Sequence, residues 1–454
     1  MPDPVRTSRH GDVLVVEIDN PPVNALSLGV PEGLAEALDV AERSDDVVAV
    51  VVRGAGRTFV AGADIGALED AAWGNDAAAS DLHWLLARVE ECPKPIVMAI
   101  HGTALGGGLE LAMAGHYRVA APGAQVGQPE VHLGIIPGAE GTQRLPRLVG
   151  VPKALEMCVT GRPVAVADAL AAGLIDEVVS GDLTESAVAF ARRAAARGGH
   201  VKTRDRRDRL RTPTENAPYF VAARQLAAKV KRDQVAPLRA VDAIVGATLL
   251  PFDDGCRRER EIFFECVHDE QAKALIHVFF AERALARRLK ALGAAAEPGA
   301  GPLADRLAAR FRREVSSLVD AGAFVESIER ALSEFGMANR VVTAGAEGRP
   351  GDITASEIVE RSIYAVVNEG AHVLESDPSA RASDIDVTFI HGAGFPAWRG
   401  GPMFYADRVG LPIVLDRVEA FHRHYGERWT PAHLLVELAH GGGTFRNRDR
   451  AART

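Results

Sequence analysis

Short β-branched runs alternate with helical patterns over the first 180 residues, and this alternation constrains the fold more than any other feature. Residues 13–18 and 47–52 are apolar runs of strand length, and residues 31–43 between them carry apolar side chains at helical spacing. Residues 94–100 and 117–120 are two further strand candidates. Strands and helices that alternate in this way predict a layered α/β domain.

The composition excludes several classes of protein. A length of 454 residues predicts roughly two to four domains, and 47% hydrophobic with 25% charged residues excludes wholesale disorder. The net charge of −9 provides no basic footprint for nucleic acid, and no apolar run is long enough to predict a membrane span. The four cysteines are widely separated, without a CxxC pair, and the first residues lack a signal-peptide pattern. We therefore expect a cytoplasmic protein and predict no metal site.

The character of the chain changes near residue 183, where Ala, Arg and Leu begin to dominate. The predicted first domain spans residues 1–255, and its basic run at 201–232 is interleaved with acids, which favours a solvated helix or loop over a site for RNA or a CoA phosphate. One long linker helix is predicted over residues 256–292. A Gly/Ala/Pro spacer follows over residues 293–302, because small residues and prolines cannot bury a face.

The last predicted domain, residues 303–454, is all helical. Thr354 followed by Glu357 has the spacing of a capping box and predicts a helix start there. Residues 326–332 resemble residues 383–389, and both segments lead into a turn rich in Gly and Phe. We therefore predict two related halves, the first of them truncated.

Two glycine-rich segments follow predicted strands, GAGRTFVAGAD at residues 54–64 and GTALGGGLELA at 102–112. Each places permissive backbone past a strand end, where main-chain amides can point at a ligand. Either segment alone is equally consistent with a tight turn. Together they can supply two amides to one oxygen, as an oxyanion hole does, with Ala63 and Gly107 as the candidates.

Two glutamates accompany these segments. Glu110 lies three residues after Gly107 in an apolar stretch, where an unpaired buried carboxylate would be costly unless it faces a site. Glu130 follows twenty residues later in the segment GQPEV. Paired carboxylates perform acid and base chemistry when their environments separate the two pKa values. The pair predicts hydration of a double bond conjugated to a carbonyl, by a water held between both carboxylates.

Four motifs resemble those of crotonase-superfamily enoyl-CoA hydratases. They are FVAGAD, HGTALGGGLELA, GQPEVHLGIIPG and GTQRLPRLVG, in the family's order and spacing across roughly residues 10–180. The resemblance implies a spiral of ββα repeats, which is an α/β fold, and an acyl-CoA thioester as the bound partner.

The resemblance also implies the roles of individual residues. It assigns the oxyanion amides to Ala63 and Gly107 and the water-holding carboxylates to Glu110 and Glu130. It further predicts that four residues line the substrate-binding site: Ala61, Asp64, Ile65 and Gly138. Glu140 departs from the family, because simple hydratases have glycine there, and we interpret it as a helix-start charge.

The remainder of the chain resembles the multifunctional β-oxidation enzymes, which join the hydratase to a 3-hydroxyacyl-CoA dehydrogenase. KALIHVFFAER, at residues 273–283, resembles their linker helix, and residues 381–407 resemble their C-terminal dehydrogenase domain. Those enzymes carry an NAD-binding Rossmann domain between these two segments. Here residues 299–304, GAGPLA, match the GxGxxG fingerprint only in part and have no preceding strand. We therefore predict no NAD cofactor, and we interpret His391 as structural.

Three functional hypotheses follow. The preferred one is an active enoyl-CoA hydratase without dehydrogenase activity. The second is a Δ3,Δ2-enoyl-CoA isomerase that uses the same site. The third is a noncatalytic acyl-CoA-binding subunit that recruits a thiolase or a separate dehydrogenase, which the retained helical region motivates and the intact pair of glutamates argues against.

Overall fold

The computed structural model of the chain describes residues 3–27, 29–62, 64–75, 81–291, 299–338 and 353–451. The chain divides into two compact units, Met1–Ala272 and Lys273–Thr454. The strands are β1 (Val5–His10), β2 (Val13–Ile18), β3 (Ala49–Gly54), β4 (Val60–Ala61), β5 (Ile96–Ile100), β6 (Thr103–Leu105), β7 (Tyr117–Ala120), β8 (Gln125–Gly127), β9 (Val164–Ala165) and β10 (Glu177–Val178).

Helices make up the rest of the regular structure. Those of the first unit are α1 (Val30–Arg43), α2 (Ile65–Ala72), α3 (His83–Glu90), α4 (Gly107–Ala114), α5 (Gly141–Val149), α6 (Val151–Thr160), α7 (Val166–Ala172), α8 (Leu183–Arg197), α9 (Pro213–Val230), α10 (Ala236–Leu249) and α11 (Phe252–Val267). Those that follow are α12 (Glu270–Ala291), α13 (Pro302–Asp320), α14 (Val325–Phe335), α15 (Ala355–Ser376), α16 (Ala382–Ala393), α17 (Pro402–Val409), α18 (Leu411–Tyr425), α19 (His433–Gly441) and α20 (Phe445–Ala451). None of the described helices is both long and apolar enough to cross a membrane.

Two sheets organise the first unit. Over the described residues, the larger sheet has the order β1-β2-β3-β5-β7-β10, in which β1 and β2 are antiparallel and the other neighbours parallel. The smaller sheet has the order β4-β6-β8-β9, and its β8–β9 pair is antiparallel. The pairs β3–β4, β5–β6 and β7–β8 each place one strand in each sheet before a helix follows. This arrangement is the predicted spiral of ββα repeats.

One face of the larger sheet packs against α8. Alternate strand residues share one hydrophobic cluster: Val13, Val15, Ala49, Val51, Val97, Ala99 and Val119. Helix α8 contributes Ala187, Val188, Ala191 and Ala194 at helical spacing to the same cluster. Because strand side chains alternate between faces, this period of two confirms the strands predicted from the β-branched runs.

The predicted single helix over residues 256–292 is wrong, because the chain forms two helices there. Helix α11 ends at Val267, and α12 begins at Glu270. Asp269 explains the break, since its Oδ1 accepts a hydrogen bond from the amide of Gln271 at 2.8 Å and so starts a new helix. The first compact unit extends to Ala272 rather than to the predicted boundary at residue 255.

The second unit is all helical and has one hydrophobic core formed by α13 to α20. Its two related segments form α14 and α16, and each helix ends at a glycine of positive φ, Gly336 at 105° and Gly394 at 75°. The amide of Ala338 donates to the carbonyl of Gly394 at 2.9 Å, so the two repeat ends contact each other. Residues 293–298 of the predicted spacer lie outside the described residues, and α13 begins at Pro302.

Helix α12 is held within the second unit by polar contacts to α16. His277 Nε2 lies 2.9 Å from Asp386 Oδ2, and its ring stacks on Phe404 at 4.7 Å between centroids. Arg288 pairs with Asp384. His391 Nε2 lies 2.7 Å from Glu282 Oε1, which is consistent with the structural role that we predicted for His391.

Candidate active site

The two glycine-rich segments lie side by side because the short strands within them are paired. Strand β4 is parallel to β6, with Ala61 opposite Leu105. Gly106 has φ 55° and ψ −127°, and a Cβ on it would lie 3.8 Å from the Cα of Gly62 and 2.7 Å from Glu130 Oε1. Glycine is therefore required at position 106 by both backbone conformation and space. The segments follow β3 and β5, as predicted, and each contains a short second strand, β4 or β6.

One predicted oxyanion amide is suitably placed. Gly107 is the first residue of α4, so its N–H has no acceptor within the helix and is available to a ligand at a positive helix end. Ala63, the other predicted donor, lies outside the described residues. Its neighbour Gly62 accepts a hydrogen bond from the amide of Leu26 at 3.2 Å, which ties this segment to the chain before α1.

Glu110 is a buried carboxylate whose position is set by the start of α5. It is 3% exposed on α4, where every residue is buried. Its Oε1 accepts hydrogen bonds from the amides of Ala139 at 2.9 Å and Gly141 at 3.0 Å. Burial raises the pKa of Glu110 to about 7, although these two amides favour the charged form. A carboxylate with this pKa can take up or release a proton near neutral pH.

Glu130 is the second carboxylate of the site and begins the 3₁₀ turn Glu130–Leu133. Its Oε2 is buried and has no hydrogen-bond partner among the described residues. Burial, followed by the nearby charge of Glu110, raises the pKa of Glu130 well above its usual range. The fold thus brings together two carboxylates, because the charge of Glu110 acts on Glu130 and Glu130 Oε1 lies against Gly106, the residue before Gly107.

The four residues predicted to line the substrate site have different environments. Ala61 ends β4, and its amide donates to the carbonyl of Val23 at 3.0 Å. Asp64 caps α2, accepting from the amides of Gly66 at 2.9 Å and Ala67 at 3.2 Å, so its carboxylate already has a structural function. Ile65 is half-buried as the first residue of α2.

Gly138, the fourth predicted residue, lies against an aromatic ring. A Cβ on it would lie 2.3 Å from Cδ2 of Phe263, a residue of α11. The ring therefore occupies the space that a larger residue at this position would need. Helix α11 contributes to this part of the first unit, although no motif in its sequence suggested it.

Glu140 directly precedes α5, in agreement with its interpretation as a helix-start residue. Its carboxylate, however, is buried and ion-paired. Glu140 is the N-cap with φ 65°, a conformation that favours glycine and that accounts for the family's usual residue. Its Oε2 lies 2.5 Å from Arg144, which also pairs with Glu90 at 2.6 Å. The arginine stabilises the buried carboxylates on both sides, so Glu140 has a structural partner rather than a free charge.

Two buried residues of the site were missed by the sequence analysis. Gln128 is fully buried with neither amide atom hydrogen-bonded among the described residues, and a Cβ on Gly141 would lie 2.5 Å from Glu110 Oε1 and 2.7 Å from Gln128 Nε2. Glu259, on α11, accepts hydrogen bonds from the start of α5. A signal for Glu259 existed in the spacing of α11, whose buried face includes Gly255, Cys256, Glu259, Ile262 and Cys266.

Two family models match the chain. The model described as enoyl-CoA hydratase/isomerase matches residues 8–231, and the model of the 3-hydroxyacyl-CoA dehydrogenase C-terminal domain matches residues 358–450. The first match contains all the predicted site residues, and the second contains α16, the later of the two related segments.

Curated relatives align with the first part of the chain. The peroxisomal bifunctional enzymes of Cavia porcellus and Danio rerio are 39% and 41% identical over 274 and 273 residues, or 59% and 60% of this chain. The glyoxysomal fatty acid beta-oxidation multifunctional protein MFP-a of Cucumis sativus is 40% identical over 280 residues. The alignments cover 37% to 38% of the relatives' own length, so this chain spans well under half of them.

Solved structures also match the first part. An enoyl-CoA hydratase from Bacillus anthracis is 28% identical and covers 62% of this chain and 96% of its own, with a TM-score of 0.40. Pseudomonas aeruginosa DspI is 31% identical and covers 50% of this chain and 89% of its own, also with a TM-score of 0.40. From the two family matches, together with the ββα spiral, residues 8–231 form a crotonase domain of the enoyl-CoA hydratase/isomerase family, and residues 358–450 form a 3-hydroxyacyl-CoA dehydrogenase C-terminal domain.

Proposed function

We propose that this chain is an enoyl-CoA hydratase, a lyase that adds water across the double bond of a trans-2-enoyl-CoA to form a 3-hydroxyacyl-CoA in fatty-acid β-oxidation. The observation that supports this most is the pair of carboxylates, Glu110 and Glu130. Glu110 is buried on the helix that begins at Gly107, and Glu130 is half-buried with a buried Oε2 that has no partner among the described residues. Two carboxylates of raised and coupled pKa provide a proton acceptor and a proton donor in one site. The relatives' printed names, which include bifunctional and fatty acid beta-oxidation enzymes, are consistent with this reaction.

The proposed chemistry uses both carboxylates and the oxyanion amides. A water between Glu110 and Glu130 loses a proton to one carboxylate as its oxygen bonds to C3 of the enoyl thioester. The electron pair of the double bond moves toward the thioester oxygen, where the amide of Gly107 and that of Ala63 stabilise the developing negative charge. A carboxyl group then delivers a proton to C2. The net change is the addition of one water, with no oxidant or reductant.

We further propose that the chain uses no NAD and has no dehydrogenase activity. Residues 299–304 carry only part of the dinucleotide fingerprint, and within the described residues no strand follows β10. Gly301 is instead the N-cap of α13, with Pro302 as the first helical residue. A separate dehydrogenase would then have to oxidise the 3-hydroxyacyl-CoA, and a thiolase could act after it.

A second activity, the shift of a 3-enoyl-CoA double bond to position 2, is supported by one observation. Glu110 Oε1 already accepts two amides, whereas Glu130 Oε2 is buried and unpartnered among the described residues. Glu130 alone could therefore move a proton between C4 and C2.

The cytoplasmic localisation remains a prediction. The curated relatives have names that place them in peroxisomes or glyoxysomes instead.

A hydration assay with a trans-2-enoyl-CoA tests the proposed function. Glu110→Gln and Glu130→Gln should each lower kcat at least about a hundredfold if the carboxylates act as acid and base. Glu36→Gln, at an exposed position on α1, is the matched control and should leave kcat unchanged. Full hydratase activity in both site variants would contradict the assignment.

Two further substrates complete the test. A 3-enoyl-CoA separates the isomerase activity, which should survive in Glu110→Gln and be lost in Glu130→Gln. A 3-hydroxyacyl-CoA supplied with NAD should give no NADH with this chain alone. NADH formation would contradict the proposed absence of dehydrogenase activity.

A further inference from the structure

Helix α11 brings a further buried carboxylate to the candidate active site. The helix begins at Phe252, beyond residue 231 where the hydratase/isomerase family match ends. Glu259 on this helix is fully buried. A buried carboxylate must be hydrogen-bonded or otherwise compensated to be tolerated, so its partners indicate its function.

The partners of Glu259 are the amides that alternate with those bound by Glu110. Ala139 and Gly141 donate their amides to Glu110 Oε1. Between them, the amide of Glu140 donates to Glu259 Oε1 at 2.6 Å, and that of Thr142 donates to Oε2 at 2.8 Å. Together the two glutamates therefore accept hydrogen bonds from four successive amides at the start of α5.

The hydroxyl of Thr142 strengthens this attachment. Its Oγ1 lies 2.5 Å from Glu259 Oε2, in addition to the backbone bond from the same residue. With three hydrogen bonds to two residues, Glu259 restrains the turn in both position and rotation. Because the amides of Ala139 and Gly141 belong to the same turn, their direction toward Glu110 depends on that restraint.

The charges around this turn come from several elements. They are Glu110 on α4, Glu130 on the 3₁₀ turn, and Glu140 and Arg144 at α5, and the thiols of Cys158 on α6 and Cys256 on α11 are neutral because burial raises their pKa. Burial and then the charge of Glu110 raise the pKa of Glu259 well above its usual range. Glu259 and Glu110 thus compete for the same helix N-terminus, and a change in one acts on the other.

We propose that Glu259 is a positioning residue that orients the start of α5 so that its amides set the geometry and proton affinity of Glu110. The inference rests on the proposed hydratase function of that carboxylate. It extends the functional unit to a helix that lies outside the matched family domain. Glu259 itself acts through the turn and touches no reacting atom.

Two substitutions in the full chain separate positioning from charge. Glu259→Gln keeps the length of the side chain and one acceptor oxygen, whereas Glu259→Asp keeps the carboxyl group but is one methylene too short to reach the turn. Positioning predicts that the Gln variant remains within about threefold of the wild-type kcat, while the Asp variant loses about tenfold to a hundredfold with KM nearly unchanged. Glu261→Gln, exposed on the same helix, is the matched control.

The pH dependence of kcat is a readout that a general loss of stability would not change. In Glu259→Asp the amides of Ala139 and Gly141 are less well directed at Glu110, so the ionised form of Glu110 is less stabilised and its pKa should rise. The acid limb of the kcat profile should therefore move to higher pH. The Gln variant should not show this upward shift. A more active Asp variant, or wild-type kcat and an unmoved limb in both, would overturn the proposal.

A titration without substrate distinguishes the two proposals. The carboxyl carbon of Glu110, labelled with 13C and assigned with Glu110→Gln, should titrate at higher pH in Glu259→Asp than in the wild type. If the wild type lacks hydratase activity, the proposed function fails while this titration still decides the positioning of Glu110. Identical titrations in the two proteins would overturn the positioning proposal even if the hydration assay succeeds. Should the Asp variant not fold, Thr142→Val provides the same comparison, with a smaller upward shift expected and an unmoved titration contradicting it.

Discussion

Glu110 combines an unfavourable environment with the property that the proposed reaction needs. Its carboxylate lies among buried residues of α4, and burial raises its pKa to about 7. An ordinary exposed glutamate would be fully ionised at that pH and a weaker base. The same burial that makes the ionised form of Glu110 unfavourable therefore also makes Glu110 an effective proton carrier near neutral pH.

This link predicts that Glu110→Gln stabilises the fold at alkaline pH while abolishing hydration. The folded-state pKa of about 7 is above the ordinary glutamate pKa of 4.5, so the contribution of Glu110 to stability is fully present below pH 4.5 and is lost as the pH rises through 7. Glutamine retains the acceptor oxygen for Ala139 and Gly141. The free energy of unfolding at pH 8 should therefore rise by about 1–3 kcal/mol relative to the wild type.

Urea unfolding of both proteins at pH 4.5 and pH 8 measures this effect. The gain should be present at pH 8 and absent at pH 4.5, and Glu36→Gln should show no gain at either pH. A variant that is equally stable or less stable than the wild type at pH 8 would show that Glu110 is not strained in its charged form.

The sequence indicated some single residues better than others. Glu110 was predicted because a glutamate is anomalous within an apolar stretch. Glu259 stands in RREREI, where its neighbours are also charged, so composition alone describes a solvated helix. Its burial depends on which face of α11 packs, and this is decided by contacts with residues more than a hundred positions earlier in the chain.

At the scale of elements, the first amides of several helices in the second unit donate to carboxylates that are remote in sequence. Asp449 accepts the amides of Ala382 and Ser383 at the start of α16, both at 2.9 Å. By contrast, Thr354 caps α15 locally, since its side chain accepts the amide of Glu357 at 3.2 Å as the capping spacing predicted. A remote cap fixes one helix to another in addition to satisfying its first amides.

Loss of a remote cap should therefore cost more than loss of an exposed carboxylate. Asp449→Ala leaves two buried amides and the Ser383 hydroxyl without their acceptor, which should lower the free energy of unfolding of the second unit by about 2 kcal/mol. Asp416→Ala, exposed on α18, is the matched control and should change it by less than about 0.5 kcal/mol. Chemical unfolding followed by circular dichroism measures both, and equal effects would contradict the capping role.

At the scale of the whole molecule, the two compact units each have their own hydrophobic core. The core of the second unit lies within residues 307–445 and includes aromatic residues such as Phe311, Phe389 and Trp429. Helix α12 is held in the same unit through His277 and Arg288. A unit with its own hydrophobic core has what an independent domain requires.

The fragment Lys273–Thr454 is accordingly expected to fold on its own. Calorimetry of the fragment should give one cooperative unfolding transition, and circular dichroism should show high helix content. A disordered fragment, or one that unfolds without cooperativity, would show that the second unit depends on the first. The complementary fragment, Met1–Ala272, should retain hydratase activity because all predicted site residues and Glu259 belong to it.

Local sequence determined the elements of this protein and the identity of its chemical groups, because β-branched runs, helical spacing and glycine-rich segments act over a few residues. The ββα spiral and the positions of Glu110 and Glu130 followed from those patterns and from the family that they resemble. The break between α11 and α12 is also local, since Asp269 caps the amide of Gln271. Only the tertiary structure decided the pairing of Arg144 with Glu90 and the contact of Glu259 with α5. The physical reason is that these partners are 54 and 119 residues apart in the chain, so their contacts depend on which helices pack together.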